Sequence, residues 1–146
     1  MSRARRLEPI RAIAYDAERA VAIRVALLER RLADAQQREQ DLRRYRGEYQ
    51  DSYTVRAGSG LQARQLREFQ TFLSRLSVAV EAQQAAVAQL RQEAEQERVR
   101  LRNAMARRKA LGTVIERAQH EERVMDERRT QRELDEHALR RAPVTP

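Results

Sequence analysis

From Leu66 to Met125, residues recur in alternating steps of three and four: Leu66, Phe69, Leu73, Leu76, Val80, Gln83, Val87, Leu90, Ala94, Glu97, Leu101, Ala104, Arg108, Leu111, Ile115, Ala118, Glu122 and Met125. Fourteen of these eighteen positions are apolar and no proline interrupts them. The pattern predicts one continuous helix whose narrow apolar stripe lies on another helix, the seam of a coiled coil. A second periodic run passes through Val21, Val25, Leu28, Leu32, Ala35, Glu39, Leu42, Tyr49 and Tyr53. Pro9 suits the first turn of that helix, where its missing N–H would be unpaired in any case. Ala57-Gly58-Ser59-Gly60 is the one turn-like cluster inside the chain, and Ser59 with Gln62 reads as a capping box. Arg140 and Arg141 precede Pro143, a basic last turn followed by a stop.

The expected fold is all-α: helix 1 over about 9–56, a turn at 57–60, helix 2 over about 61–141 and a short C-terminal tail, in one coiled-coil domain. A short loop between long helices makes them antiparallel. Exposed i,i+4 pairs in the favourable order, such as Asp34 with Arg38, Glu39 with Arg43 and Glu136 with Arg140, support both helices.

A turn centred on residues 57 and 58 pairs residues whose numbers add to roughly 115, so Leu42 faces Leu73, Glu39 faces Leu76 and Pro9 faces about Ala106. Helix 2 then extends beyond helix 1 from about Arg107 to Arg140, on the order of 50 Å at ~1.5 Å per residue. Leu111, Ile115, Ala118 and Met125 would form an uncovered stripe there. Residues 1 to 8 offer the alternative cover for part of it. Gly112 lies near the expected end of the cover and is a candidate bend, and Gly47 has no evident purpose.

Composition narrows the reading further. With 36% charged and 4% aromatic residues, four glycines and three prolines, the chain lacks the large apolar groups of a globular core and has too many helix formers for disorder. It has no cysteine, hence no disulfide framework, which fits a reducing compartment. No apolar run is long enough to span a bilayer or to form a secretory signal, so an intracellular location is expected. Lys109 is the one lysine among thirty basic residues.

Positive charge is concentrated. Arg98, Arg100, Arg102, Arg107, Arg108 and Lys109 occur in a stretch with no acid, and Arg3, Arg5, Arg6 and Arg11 surround only Glu8. Together they carry more positive charge than the formal net +8 of the whole chain, so the rest is close to neutral, and the expected register makes them neighbours at the open end of the hairpin. Such an end suits an acidic protein surface, phosphates or anionic lipid.

Residues for catalysis are missing from the pattern. His120 and His137 are seventeen apart, and His120-Glu121-Glu122-Arg123 lacks the second histidine that a zinc helix carries at i+4. Gly58-Ser59-Gly60 follows a helix and lacks the lysine of a phosphate loop. Adjacent acids at Asp126-Glu127 and Asp135-Glu136 point about 100° apart on a helix, with no cavity to tune them. Neither an enzyme, a cofactor, a metal nor a small-molecule substrate is expected.

The aromatic residues are unevenly spread. Tyr45, Tyr49, Tyr53, Phe69 and Phe72 all lie close to the turn. Tyr49, Tyr53 and Phe69 take seam positions, whereas Tyr45 and Phe72 take g positions, which flank the same side of an antiparallel seam. They are expected to form a partly exposed patch with Leu76 close by.

Tyr45-Arg46-Gly47-Glu48-Tyr49, Gln70-Thr71-Phe72 with Leu76 and Gln83, and Leu134-Asp135-Glu136-His137-Ala138 resemble the FliJ family, the coiled-coil proteins of the bacterial flagellar export apparatus. The resemblance extends over essentially the whole chain, although the tryptophans frequent in that family's second helix have no counterpart here. It implies a cytoplasmic protein peripherally associated with the inner membrane in a type III export machine. It implies three partners: the hexameric export ATPase, which the stalk-like coiled coil engages and stimulates, the cytoplasmic part of the export gate, and substrate chaperones that it escorts. Phe72 and Leu76, supported by Tyr45 and Tyr49, are the residues this assigns to the gate. For the ATPase, the basic open end and uncovered stripe nominate Arg98, Arg102, Arg107, Arg108, Leu111, Ile115 and Met125.

The stalk of a virulence-type injectisome shares this architecture and is an alternative, as is a purely structural coiled coil that self-assembles through the uncovered helix. A leucine-zipper nucleic-acid binder fits poorly. Its basic helix would continue a parallel zipper and read bases, whereas here basic residues occur on both helices and Asn103 is the one asparagine. No nucleic acid is expected as a partner.

Overall fold

The structure is a computed structural model and describes residues 2–142. Two long helices, α1 (Arg3–Gly58) and α2 (Ala63–Arg141), are joined by a short turn, and no strand occurs among the described residues. They form an antiparallel hairpin of coiled-coil type in which α2 extends beyond α1. Among the described residues, no helix is long and apolar enough to cross a membrane. The chain divides into two compact units. The turn unit is Val21–Leu101, and the terminal unit combines Met1–Ala20 with Arg102–Pro146. Pro143 and the tail after it lie outside the described residues.

The seam falls where the periodicity put it. Every seam position of α2 from Leu66 to Glu122 is buried or half-buried, and Met125 is exposed. On α1 the same holds for each expected position from Val21 to Tyr53. In the turn unit, Leu32, Ala35 and Val87 form a buried cluster with Leu90 packed on it. Gln83, a polar seam residue, is satisfied because its side-chain amide donates to the carbonyl of Ala35 at 2.9 Å. That bond lets a polar layer persist between apolar ones without a desolvation penalty.

The turn differs from expectation. It lies at residues 59–62, and the reason is which residue caps which helix. The Ser59 hydroxyl donates to the carbonyl of Val55 at 3.2 Å and so serves the end of α1. Gln62 opens α2 instead: its N–H donates to Oε1 of Gln65 at 3.3 Å, and its carbonyl accepts the N–H of Leu66. This is the reciprocal half of a capping box, shifted three residues on. Gly60 has φ of 91°, a left-handed conformation that favours glycine.

The largest correction concerns the start of α1. It begins at Arg3, so Pro9 stands inside the helix and not in its first turn. An interior proline removes one backbone hydrogen bond and crowds the carbonyl four residues earlier. The turns before it are held by other contacts. The hydroxyl of Ser2 accepts the N–H of Arg5 at 3.2 Å, as an N-cap does, and the carboxylate of Glu122 on α2 accepts the N–H of Ala4, also at 3.2 Å. A carboxylate at that end also opposes the positive pole of the helix dipole.

Because the turn is displaced and α1 starts early, pairing in the terminal unit reaches much further along α2 than expected. Glu18 is ion-paired with Arg108, and Ala4 meets Glu122. Between those contacts the seam residues Leu7, Arg11 and Ala14 run opposite Ala118, Ile115 and Leu111 in turn. Ile115 is fully buried and Ala118 is 3% exposed, so these two are not an uncovered stripe. The helix without cover runs from residue 123 to 141, roughly 30 Å at ~1.5 Å per residue. Helix α2 passes through Gly112 without interruption.

Candidate partner-binding surfaces

The aromatic residues of the turn unit form a connected stack. Tyr45 meets Phe72 edge to face at 6.2 Å and 86°, Tyr49 packs on Phe72 at 4.5 Å and on Phe69 at 4.9 Å, and Tyr53 reaches Phe69 at 5.4 Å. The contact of Tyr45 with Phe72 is the one their shared g positions predict. Tyr45 is 49% exposed and Phe72 is half-buried, whereas Phe69 and Leu76 are each 8% exposed. The accessible patch is therefore Tyr45 and Phe72 with one side of Tyr49. Leu76 lies beneath it as a core residue, because its seam position points it at α1. Sequence reasoning missed two features here. Arg56 lies over the ring of Phe69 at 5.6 Å, and Arg67 and Arg75 flank Phe72 in a shallow concavity with Thr71.

The arginines of residues 98 to 109 do not form one open collar. In the turn unit Arg98 donates to Glu29 at 3.1 Å and to Glu95 at 3.4 Å. Glu97 accepts from Arg100 at 2.6 Å and from Arg24 at 3.4 Å. In the terminal unit Arg108 pairs with Glu18 and lies 5.1 Å from the ring of Tyr15. These carboxylates raise the affinity of both guanidinium groups for their protons, Glu29 acting on Arg98 and Glu18 on Arg108. Two of these acids, Glu18 and Glu29, come from α1, and Glu95 and Glu97 come from α2 itself. The expected open-end cluster is thereby corrected: the two basic segments meet only at their edge, where Arg11 lies 6.0 Å and Arg108 5.1 Å from the centre of the Tyr15 ring. Arg102 and Arg107 are exposed.

Of the apolar residues nominated for the ATPase, Ile115 is wholly buried, Leu111 is half-buried and Met125 is 70% exposed. Ile115 therefore has no surface to offer a partner. What the helix beyond Glu122 displays is Met125, Leu134 and Leu139, each more than half exposed, among alternating charges. Where α1 begins, Ser2, Glu122 and Met125 border a shallow step with Arg128, Arg129 and Arg132. His120 and His137 are exposed, and the described residues contain no cluster of side chains suited to a metal ion.

Two long helices with satisfied polar seam layers, an aromatic patch at the turn and an uncovered helical end define a coiled-coil protein. The chain belongs to the FliJ family: the family model, described as Flagellar FliJ protein, matches residues 2–143. It is accordingly a protein of flagellar export. No curated protein and no solved structure matches it.

Proposed function

We infer that this chain is a non-catalytic coiled coil of the flagellar type III export apparatus that engages and stimulates the hexameric export ATPase, links it to the membrane export gate and helps escort substrate chaperones. It works at the cytoplasmic face of the inner membrane. The observation that carries the reading is the family match over residues 2–143. The geometry supplies a surface for each principal contact. Tyr45 and Phe72, with Tyr49, are accessible for the gate, and Leu76 supports them from below. For the ATPase, the helix after Glu122 with Met125, together with the exposed Arg102 and Arg107, replaces the wider set that included the buried Ile115.

The test is the ATPase rate of the purified export ATPase with the full chain, a Phe72→Ala variant and a truncation after Glu122. Stimulation by the first two and its loss on truncation supports the division of labour. Absence of stimulation by any folded, helical form sinks the ATPase reading.

A further inference from the structure

The terminal unit carries a second apolar stripe that the hairpin leaves outside. On α1, Ile13 is 68% and Ile10 is 48% exposed, and Ala17 and Ala20 follow them in the same three- and four-residue steps, all exposed. Apart from Leu7, the residues this part of α1 gives to the seam are small or polar: Ala4, Arg11, Ala14 and Glu18. The two isoleucines of the first turns face away from α2.

Heptad geometry puts that stripe at the mouth of a groove. With Glu18 and Arg108 both at a positions, Ile10 and Ala17 are g residues and Ile13 and Ala20 are c residues. The g residue contributed by α2 is Val114, itself 36% exposed. Residues at g on antiparallel helices flank the same side of the seam, the relation that brings Tyr45 against Phe72 in the turn unit. The opposite, e, side carries Glu8, Tyr15, Gln119 and Asp126 and has no such apolar run. One flank of the terminal unit is therefore an apolar groove at the spacing of a third helix, with small alanines that permit close approach.

The rim is basic. Arg3 and Arg6 on α1 and Arg107 and Arg117 on α2 take g or c positions on this side, all exposed, and Glu121 is the one acid there. None of the four arginines is ion-paired among the described residues, unlike Arg98, Arg100 and Arg108. Two such basic rims repel, and the net charge of +8 adds to that, which disfavours a second copy docking groove to groove.

We propose that the groove of Ile10, Ile13, Ala17, Ala20 and Val114 docks an amphipathic helix with acidic flanks from a partner protein, completing a three-helix arrangement. The assignment stands apart from the turn patch and the uncovered end of α2. The test uses the full chain and a synthetic amphipathic helix of roughly three heptads, with leucine and alanine on one face and glutamate flanks, beside the same peptide with lysine flanks. The acidic peptide should bind, weaken as salt rises, and lose about tenfold or more in affinity with Ile13→Asp, which lies on the surface and leaves thermal unfolding unchanged. The double variant Arg6→Glu with Arg117→Glu should weaken the acidic peptide and favour the lysine peptide. Three results would overturn the proposal: neither peptide binding, both binding alike with no effect of either variant, or a concentration-dependent mass of the free chain that Ile13→Asp abolishes. The last would assign the groove to a second copy.

Discussion

The carboxylate of Glu122 accepts the backbone N–H of Ala4 across 118 residues of sequence, and this bond closes the pairing of the two helices. It caps the first turn of α1 from outside the helix, where the orphan N–H groups and the positive end of the dipole both favour an anion. Replacing Glu122 by alanine should cost roughly 0.5–2 kcal/mol locally, the usual range for a lost cap. Amide hydrogen exchange should speed up over residues 4 to 8 while the turn unit keeps its protection. Unchanged exchange there would mean that Ser2 alone holds the turn.

Pro9 sits in the interior of α1 at a cost of about 3 kcal/mol relative to alanine. Pro9→Ala should therefore raise the stability of the terminal unit by up to that amount and increase helicity by circular dichroism. A loss of stability would show that the proline shapes the contact with α2.

Gly47 and Gly112 are helical, and a Cβ built at either meets nothing within 4 Å. Each change to alanine should stabilise the protein by roughly 0.5–1 kcal/mol. Gly60→Ala should destabilise it, because φ of 91° strains any L side chain. Thermal melts of the three variants give opposite signs if the turn conformation is as described.

Arg108 and Glu18 form one of the polar layers of the seam. Removing one partner, as in Glu18→Leu, strands the other charge and should lower stability. The double change Glu18→Leu with Arg108→Leu should recover it, since an apolar layer of similar volume replaces the pair. The double variant should also lose its unique register, read as broadened NMR signals from the terminal unit.

Phe72 and Leu76 separate by burial. Leu76→Ala empties a core site and should cost about 2–5 kcal/mol, whereas Phe72→Ala, half-exposed, should cost distinctly less. If the patch binds the export gate, Phe72→Ala reduces binding at unchanged helicity. For Leu76→Ala, binding should be compared only after matching the folded fraction.

Helix content, the seam and its exceptions were legible in the sequence because they depend on side-chain period, and every seam residue of α2 through Glu122 obeys it. The Tyr45–Phe72 contact was legible for the same reason, both residues being g. Register was not. It depends on where the turn begins, and Ser59 and Gln62 could each have capped either helix. Only the placement of Gln62 beside Gln65 decided that.

The period of the chain by itself determined that two helices pair, Val21 to Tyr53 on one against the stripe that begins at Leu66 on the other, since apolar stripes of that spacing are satisfied only by each other. Tertiary structure alone decided that α1 runs back past Pro9. The contacts that hold those turns, the bond of Ala4 to Glu122 across 118 residues, the Ser2 cap and the burial of Ala4 in the seam, together outweigh the local preference of proline. The tertiary structure also decided that Ile115 is core, that Arg98 and Arg108 of the basic stretch pair with acids of α1, and that Ile10 and Ile13 are left outside.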